Sequence, residues 1–206
     1  MSNMRRQNLW ICVWDASVLT LLVLLTAGRL WAQESRLLPL IDGTLRIDGT
    51  SNKSDWTVEV TEMDGMLWLS ESGTGFDPDS VYFVTRGGDM KSGVSVIMDR
   101  LMYKALKTDQ HPDIVYTLGS AGISRAASDD TLRWQTTGSL WLAGVADTLS
   151  MIVNGVEETP GRFVFTGSHR MSMREHGVTP PTAMFGALHT GEWVTVRFRL
   201  VFGRRA

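Results

Sequence analysis

Four histidines, His111, His169, His176 and His189, are the side chains of this sequence best suited to hold a metal or move a proton near neutral pH. A zinc site needs three or four ligands at recognisable intervals, and the spacing of these four matches no metal signature. Ser54 and Asp55 could be drawn with a histidine as a hydrolytic triad, but a triad is defined by geometry and not by inventory. Both residues precede Trp56 at a strand start, where short polar side chains serve turns. The sequence has no Gly-x-Ser-x-Gly elbow, no His-Glu-x-x-His and no Gly-rich phosphate loop opening a helix. The expectation is therefore a protein that is not an enzyme and that carries no cofactor or metal.

The large apolar residues are more informative. Trp56, Trp68, Trp134, Trp141, Trp193, Tyr82, Tyr103, Tyr116, Phe83, Phe163, Phe165 and Phe198, with methionines from Met63 to Met184, exceed what a two-layer sandwich needs. A barrel of about eight strands can fill its interior with such side chains or hold one small ligand there. Core packing accounts for any one of them alone. As a set they suggest that some line a cavity, with methionine supplying adaptable walls for a flexible apolar guest.

Such residues must be positioned by strands. Over residues 193–202 the set Val194, Val196, Phe198, Leu200 and Phe202 alternates with Thr195, Arg197, Arg199 and Val201, one buried face against one wetter face. Shorter runs of the same kind cover residues 44–49, 56–61, 66–70, 80–85, 93–98, 113–118, 132–143, 148–153 and 162–173, separated by Gly, Asp, Asn and Ser. Nine or ten short strands with no run of helices between them predict an all-β sandwich or barrel. One segment departs from this pattern. Asp99 is placed to cap a short helix with Leu101, Met102, Ala105 and Leu106 on one side, Lys104 and Lys107 in its later turns, and Pro112 at the exit.

The totals set the remaining bounds. The chain has 206 residues, 43% hydrophobic and 20% charged, with a formal net charge of −2, so it can build a core of its own and presents no electrostatic footprint for nucleic acid. Residues 1–32 read as a secretory signal, with Arg5 and Arg6 at the start, an apolar run over 16–27 and Ala32 at the cut. Asp15 interrupts the longer apolar stretch, and the run is shorter than the roughly 20 residues of a spanning helix. Cleavage leaves one domain over 33–206, removes Cys12 with the signal, and suits a periplasmic or secreted protein without a stable membrane span.

Three segments, in order, resemble the YceI-like family of exported bacterial proteins. Residues 45–56 end in Ser51-Asn52-Lys53-Ser54-Asp55-Trp56, similar to that family's opening strand and Ser-Asn-Val-His-Asp-Trp turn. Residues 98–118 carry Met102, Ala105-Leu106-Lys107, His111-Pro112 and Ile114-x-Tyr116-x-Leu118, like its helix and following strand. Residues 138–145, Gly-Ser-Leu-Trp-Leu-Ala-Gly-Val, combine with Met171-x-Met173-x-Glu175-His176-Gly177-Val178 and Pro180-Pro181-Thr182-Ala183-Met184. The resemblance covers about residues 44–202. The sequence departs from it at Lys53 and Ser54, where relatives carry an apolar residue and His, and at Met173, Glu175 and His176, which replace an Arg-x-Asp-aromatic pattern.

What the resemblance implies is an antiparallel eight-stranded lipocalin-like barrel with one short α-helix and an elongated apolar channel for a polyisoprenoid or fatty-acid-like lipid. The expected ligand-binding residues are Trp56, Trp68, Tyr116, Leu140, Leu142, Phe163, Phe165, Met171, Met173, His176 and Phe198. Polar anchors for a head group are expected among Lys53, Ser54, Asp55, Arg174, Glu175 and His176. A barrel filled solid by its own side chains and a histidine-dependent lipid-modifying enzyme stand as alternatives, and the oligomeric state is open between monomer and homodimer.

Overall fold

A computed structural model describes residues 35–73, 75–93, 95–126 and 131–204. The signal segment 1–32 and Cys12 lie outside the described residues. The elements are β1 (Arg36–Ser51), β2 (Asp55–Val60), β3 (Met63–Ser72), β4 (Gly75–Arg86), α1 (Val96–Leu106), β5 (Asp113–Ala126), β6 (Leu132–Leu142), β7 (Val145–Thr159), β8 (Arg162–Ser172), β9 (Thr182–Ala183) and β10 (Leu188–Gly203). Among the described residues no helix is long and apolar enough to cross a membrane.

The strands close into an antiparallel barrel of eight staves. β2 and β3 share one edge of β1, with Leu45–Thr50 opposite 55–60 and Arg36–Pro39 opposite 66–69, so together they form a single long stave. From there the order runs β4, β5, β6, β7, β8 and β10, and β10 returns to the other edge of β1 with Leu45 opposite Phe198 and Ile47 opposite Val196. Closure satisfies both edges of β1, which an open sheet would leave unpaired. β9 adds only a short pairing to the start of β10, Ala183 opposite Leu188.

The alternation of side chains divides the wall into an inside and an outside. On β8, Phe165, His169 and Met171 face inward; on β10, Val194, Val196, Phe198, Leu200 and Phe202 do the same. One end of the interior is packed solid. Phe76, Trp134, Phe163, Phe165 and Phe202 meet there with Leu38, Leu40, Leu67, Leu69 and Leu132. Ring centroids stand 4.9 Å apart for Phe76 and Phe163 and 5.4 Å for Phe76 and Trp134. The Trp134 indole N–H, which burial would otherwise strand, donates to Asp77 Oδ1 at 3.1 Å. Each fully buried ring contributes about 1.5–3 kcal/mol.

The opposite end is covered by α1. The run over 93–98, expected as a strand, instead leads into this helix, which begins at Val96. Ser95 caps it, its hydroxyl accepting from the Met98 amide at 3.3 Å; Asp99, expected as the cap, lies inside the first turn. Asp99 accepts there from the Ser92 amide and hydroxyl at 2.9 and 2.6 Å, and those bonds hold its carboxyl below the usual range. Tyr103 Oη donates to the Met90 carbonyl and accepts from Lys91 Nζ, and Lys91 itself pairs through its backbone with Glu59 beside β2. Lys107 ends the helix in the left-handed conformation and reaches the Ala143 carbonyl in the β6–β7 turn. The helix is thus tied to both sides of the barrel rim.

Candidate functional site

Between the aromatic plug and α1 lies an apolar cavity of about 300 Å³. Phe165 and Phe202 belong to the plug and also floor the cavity. Tyr116 and Leu118 of β5, Leu140 and Leu142 of β6, and Met151 and Val153 of β7 form one wall; Val196 and Phe198 of β10 form another. Helix α1 turns Met98, Leu101, Met102, Ala105 and Leu106 onto the space, the face that its apolar spacing predicts. Trp56 enters because Gly49 opposite it has no side chain: a Cβ there would stand 2.2 Å from the Trp56 ring. The indole N–H donates to the Thr50 carbonyl at 2.9 Å, fixing the ring against β1.

Of the expected ligand-binding residues, Trp56, Tyr116, Leu140, Leu142, Phe165, Met171, Met173 and Phe198 line this cavity. Three do not. Trp68 points outward, because Leu67 and Leu69 on either side of it occupy the inner face. Phe163 faces inward but lies below the cavity, packed against Phe76. His176 leaves the barrel wall in the turn after β8 and is buried against Asp147, its Nδ1 3.0 Å from Asp147 Oδ2. The two atoms are close but not aligned for a hydrogen bond, and among the described residues Nδ1 has no hydrogen-bond partner.

The expected polar anchors are likewise not at the cavity wall. Ser51 Oγ accepts from the amides of Lys53 and Ser54, so this segment serves the β1–β2 turn. Asp55 opens β2 on an outer groove with Arg46 and Arg197. Arg174 approaches Glu192 at 3.6 Å.

His169 is a polar lining residue absent from the expected ligand-binding set, although its signal was present. It stands on β8 in phase with Phe165 and Met171, on the inner face. Burial, aided by the neighbouring His176, holds its imidazole below the ordinary histidine range. Burial also pushes the Tyr116 phenol up, against the opposing effect of its hydrogen bond with Thr136. Among the described residues no three His, Cys, Asp or Glu side chains gather where they could hold a metal. Chemically, the site can enclose an apolar chain and offer it very few polar contacts.

Comparison with known proteins gives the fold. No protein-family model and no curated protein matches the chain. Solved structures do. BcnA from Burkholderia cenocepacia is similar at 12% identity with a TM-score of 0.62, covering 77% of this chain and 95% of that one. A polyisoprenoid-binding domain from Saccharophagus degradans, implicated in plant cell wall breakdown, is 12% identical with a TM-score of 0.63, covering 84% and 100%. A YceI protein from Campylobacter jejuni is 10% identical with a TM-score of 0.56, covering 72% and 85%. These likenesses show that the barrel and its helix have the fold of YceI proteins, which the sequence resemblance implies.

Proposed function

We propose that the protein is a YceI-like lipid-binding protein, exported and non-enzymatic, that holds a polyisoprenoid or another long apolar chain in its barrel. The observation that carries this reading is the apolar cavity of about 300 Å³ between the aromatic plug and α1. A barrel filled throughout would have no such space. Every CH₂ removed from water contributes about 0.8 kcal/mol, so a modest length of chain offsets the roughly 4–15 kcal/mol cost of association. The volume is at the lower end of the roughly 300–1,000 Å³ typical of ligand sites. A long chain therefore inserts one end and leaves the rest under α1 and the segment 173–187.

Export by residues 1–32 belongs to the same proposal and places the carrier in the periplasm or outside the cell, where N-terminal sequencing of the mature protein should begin near Gln33. Native mass spectrometry of protein purified from its envelope, with lipid extraction of the same sample, tests the binding. The expected result is a bound species of isoprenoid or acyl-chain mass. Protein that emerges empty and also fails to take up isoprenoid or fatty-acid probes overturns the reading.

A further inference from the structure

The polar groups of the cavity wall are few, and most are already engaged. Thr85 Oγ1 donates to the Glu62 carbonyl at 2.6 Å, Thr136 Oγ1 donates to the Met151 carbonyl at 3.0 Å and bonds Tyr116, and Ser92 Oγ donates to Asp99. The His169 imidazole forms no hydrogen bond among the described residues, although it is half-buried on the inner face. Its place along the barrel is also defined. It lies four residues from Phe165 on the floor, roughly 13 Å at ~3.3 Å per strand residue. An apolar chain that is rooted on the plug and spans about that length thus brings its end to this side chain.

Among the described residues no lysine, arginine, aspartate or glutamate lines the cavity. The His176 imidazole disfavours the protonated form of His169, and His176 Nδ1 itself stands 3.0 Å from Asp147 Oδ2. An anionic head group at His169 would therefore be buried with no cation to neutralise it, which costs several kcal/mol. A hydroxyl or carbonyl needs only one hydrogen bond, and an imidazole with one donor and one acceptor nitrogen supplies it to either.

Resting on the binding function proposed above, we infer that His169 is the head-group contact of this cavity and selects an apolar chain ending in a neutral oxygen, an alcohol or carbonyl, over the corresponding acid. The lowered basicity of His169 supports this, because the imidazole stays uncharged at neutral pH. His169 is thereby a specificity-determining residue that decides which isoprenoid is held.

The test compares farnesol, farnesoic acid and the saturated hydrocarbon farnesane at pH 8, where the acid is ionised, by displacement of an apolar fluorescent probe. Native protein should bind farnesol at least tenfold more tightly than farnesoic acid. His169→Leu should weaken farnesol about 3- to 10-fold, the worth of one hydrogen bond, and leave farnesane unchanged or tighter. His169→Gln, which keeps a donor and an acceptor, should restore farnesol binding and guards against a folding defect in the leucine variant. Equal affinity for alcohol and acid, or a His169→Leu effect shared by farnesane, overturns the inference and leaves the carrier reading intact. Failure of the native protein to bind any of the three overturns both.

Discussion

The two ends of this barrel are built from the same kinds of residue and do opposite things. At one end, aromatic rings from β4, β6, β8 and β10 interlock, with Trp134 fully buried and Phe163 and Phe202 nearly so. At the other, Leu140, Met151, Val196 and Phe198 face one another across open space under α1 and the segment that carries Met173, Val178 and Pro181. The inner face is predominantly apolar at both ends, so hydrophobicity does not separate filling from holding. Contact between rings does. Planar rings that touch at 5–6 Å centroid distances close the bottom, whereas above them Trp56, Tyr116 and Phe198 are interspersed with aliphatic and methionine side chains around open space.

That contrast is broken most directly at Trp134. Trp134→Ala should cost about 3–5 kcal/mol in urea denaturation, combining lost burial with a cavity in a close-packed region. Met102→Ala, on the cavity side of α1, should cost less than about 2 kcal/mol, because that side chain already faces space. Equal losses would mean that both ends are packed alike. The next largest effect is on binding. Leu140→Trp should fill the hollow end, weaken uptake of an apolar fluorescent probe more than tenfold and change stability by no more than about 1 kcal/mol. Retained uptake in that variant would place the guest elsewhere.

A smaller effect sharpens the role of the cover. Ser95→Ala removes the cap of α1 and should cost about 1 kcal/mol. The loss should be local: amide exchange over α1 should quicken while the amides of β6 and β8 around the plug keep their protection. Exchange that quickens equally at both ends would show that the helix is integral to the whole barrel.

The barrel was legible because alternation reports which side of a strand faces in, and β10 alternates from Val194 to Leu200; the pattern breaks at Val201, expected on the wetter face but fully buried. Alternation does not report height. Phe163 and Phe165 are neighbours on one strand, yet Phe163 lies wholly in the plug while Phe165 also floors the cavity. Phase fails where both faces are apolar: in Met66-Leu67-Trp68-Leu69 nothing in the sequence says that Leu67 and Leu69 are inside. Trp68 instead pairs on the outer wall with Leu37, and Met66 with Tyr82. Turns carry no phase at all, which is why His176, read from a motif, lies beside Asp147 outside the cavity lining. His169, two residues before Met171 and four after Phe165 on the same strand, could have been placed by counting.

His169 also gives the hollow end a pH response near neutrality. Its folded pKa is lowered from 6.5 by burial and by His176. The unfolded chain therefore binds the proton first as the medium acidifies. The stability this residue contributes is fully present above about 6.5, and it is lost as the pH falls from there through the lower folded value. The effect is small because the imidazole is only partly enclosed. Urea denaturation of the ligand-free protein between pH 5 and 8 should show stability declining on the acid side, and His169→Leu should flatten that slope without moving the plateau above pH 7. A guest that hydrogen-bonds the neutral imidazole should leave the onset near 6.5 and carry the decline on to still lower pH, because it binds the unprotonated form. If farnesol leaves the profile of the native protein where it was while still binding, then the chain is held without its head group reaching His169.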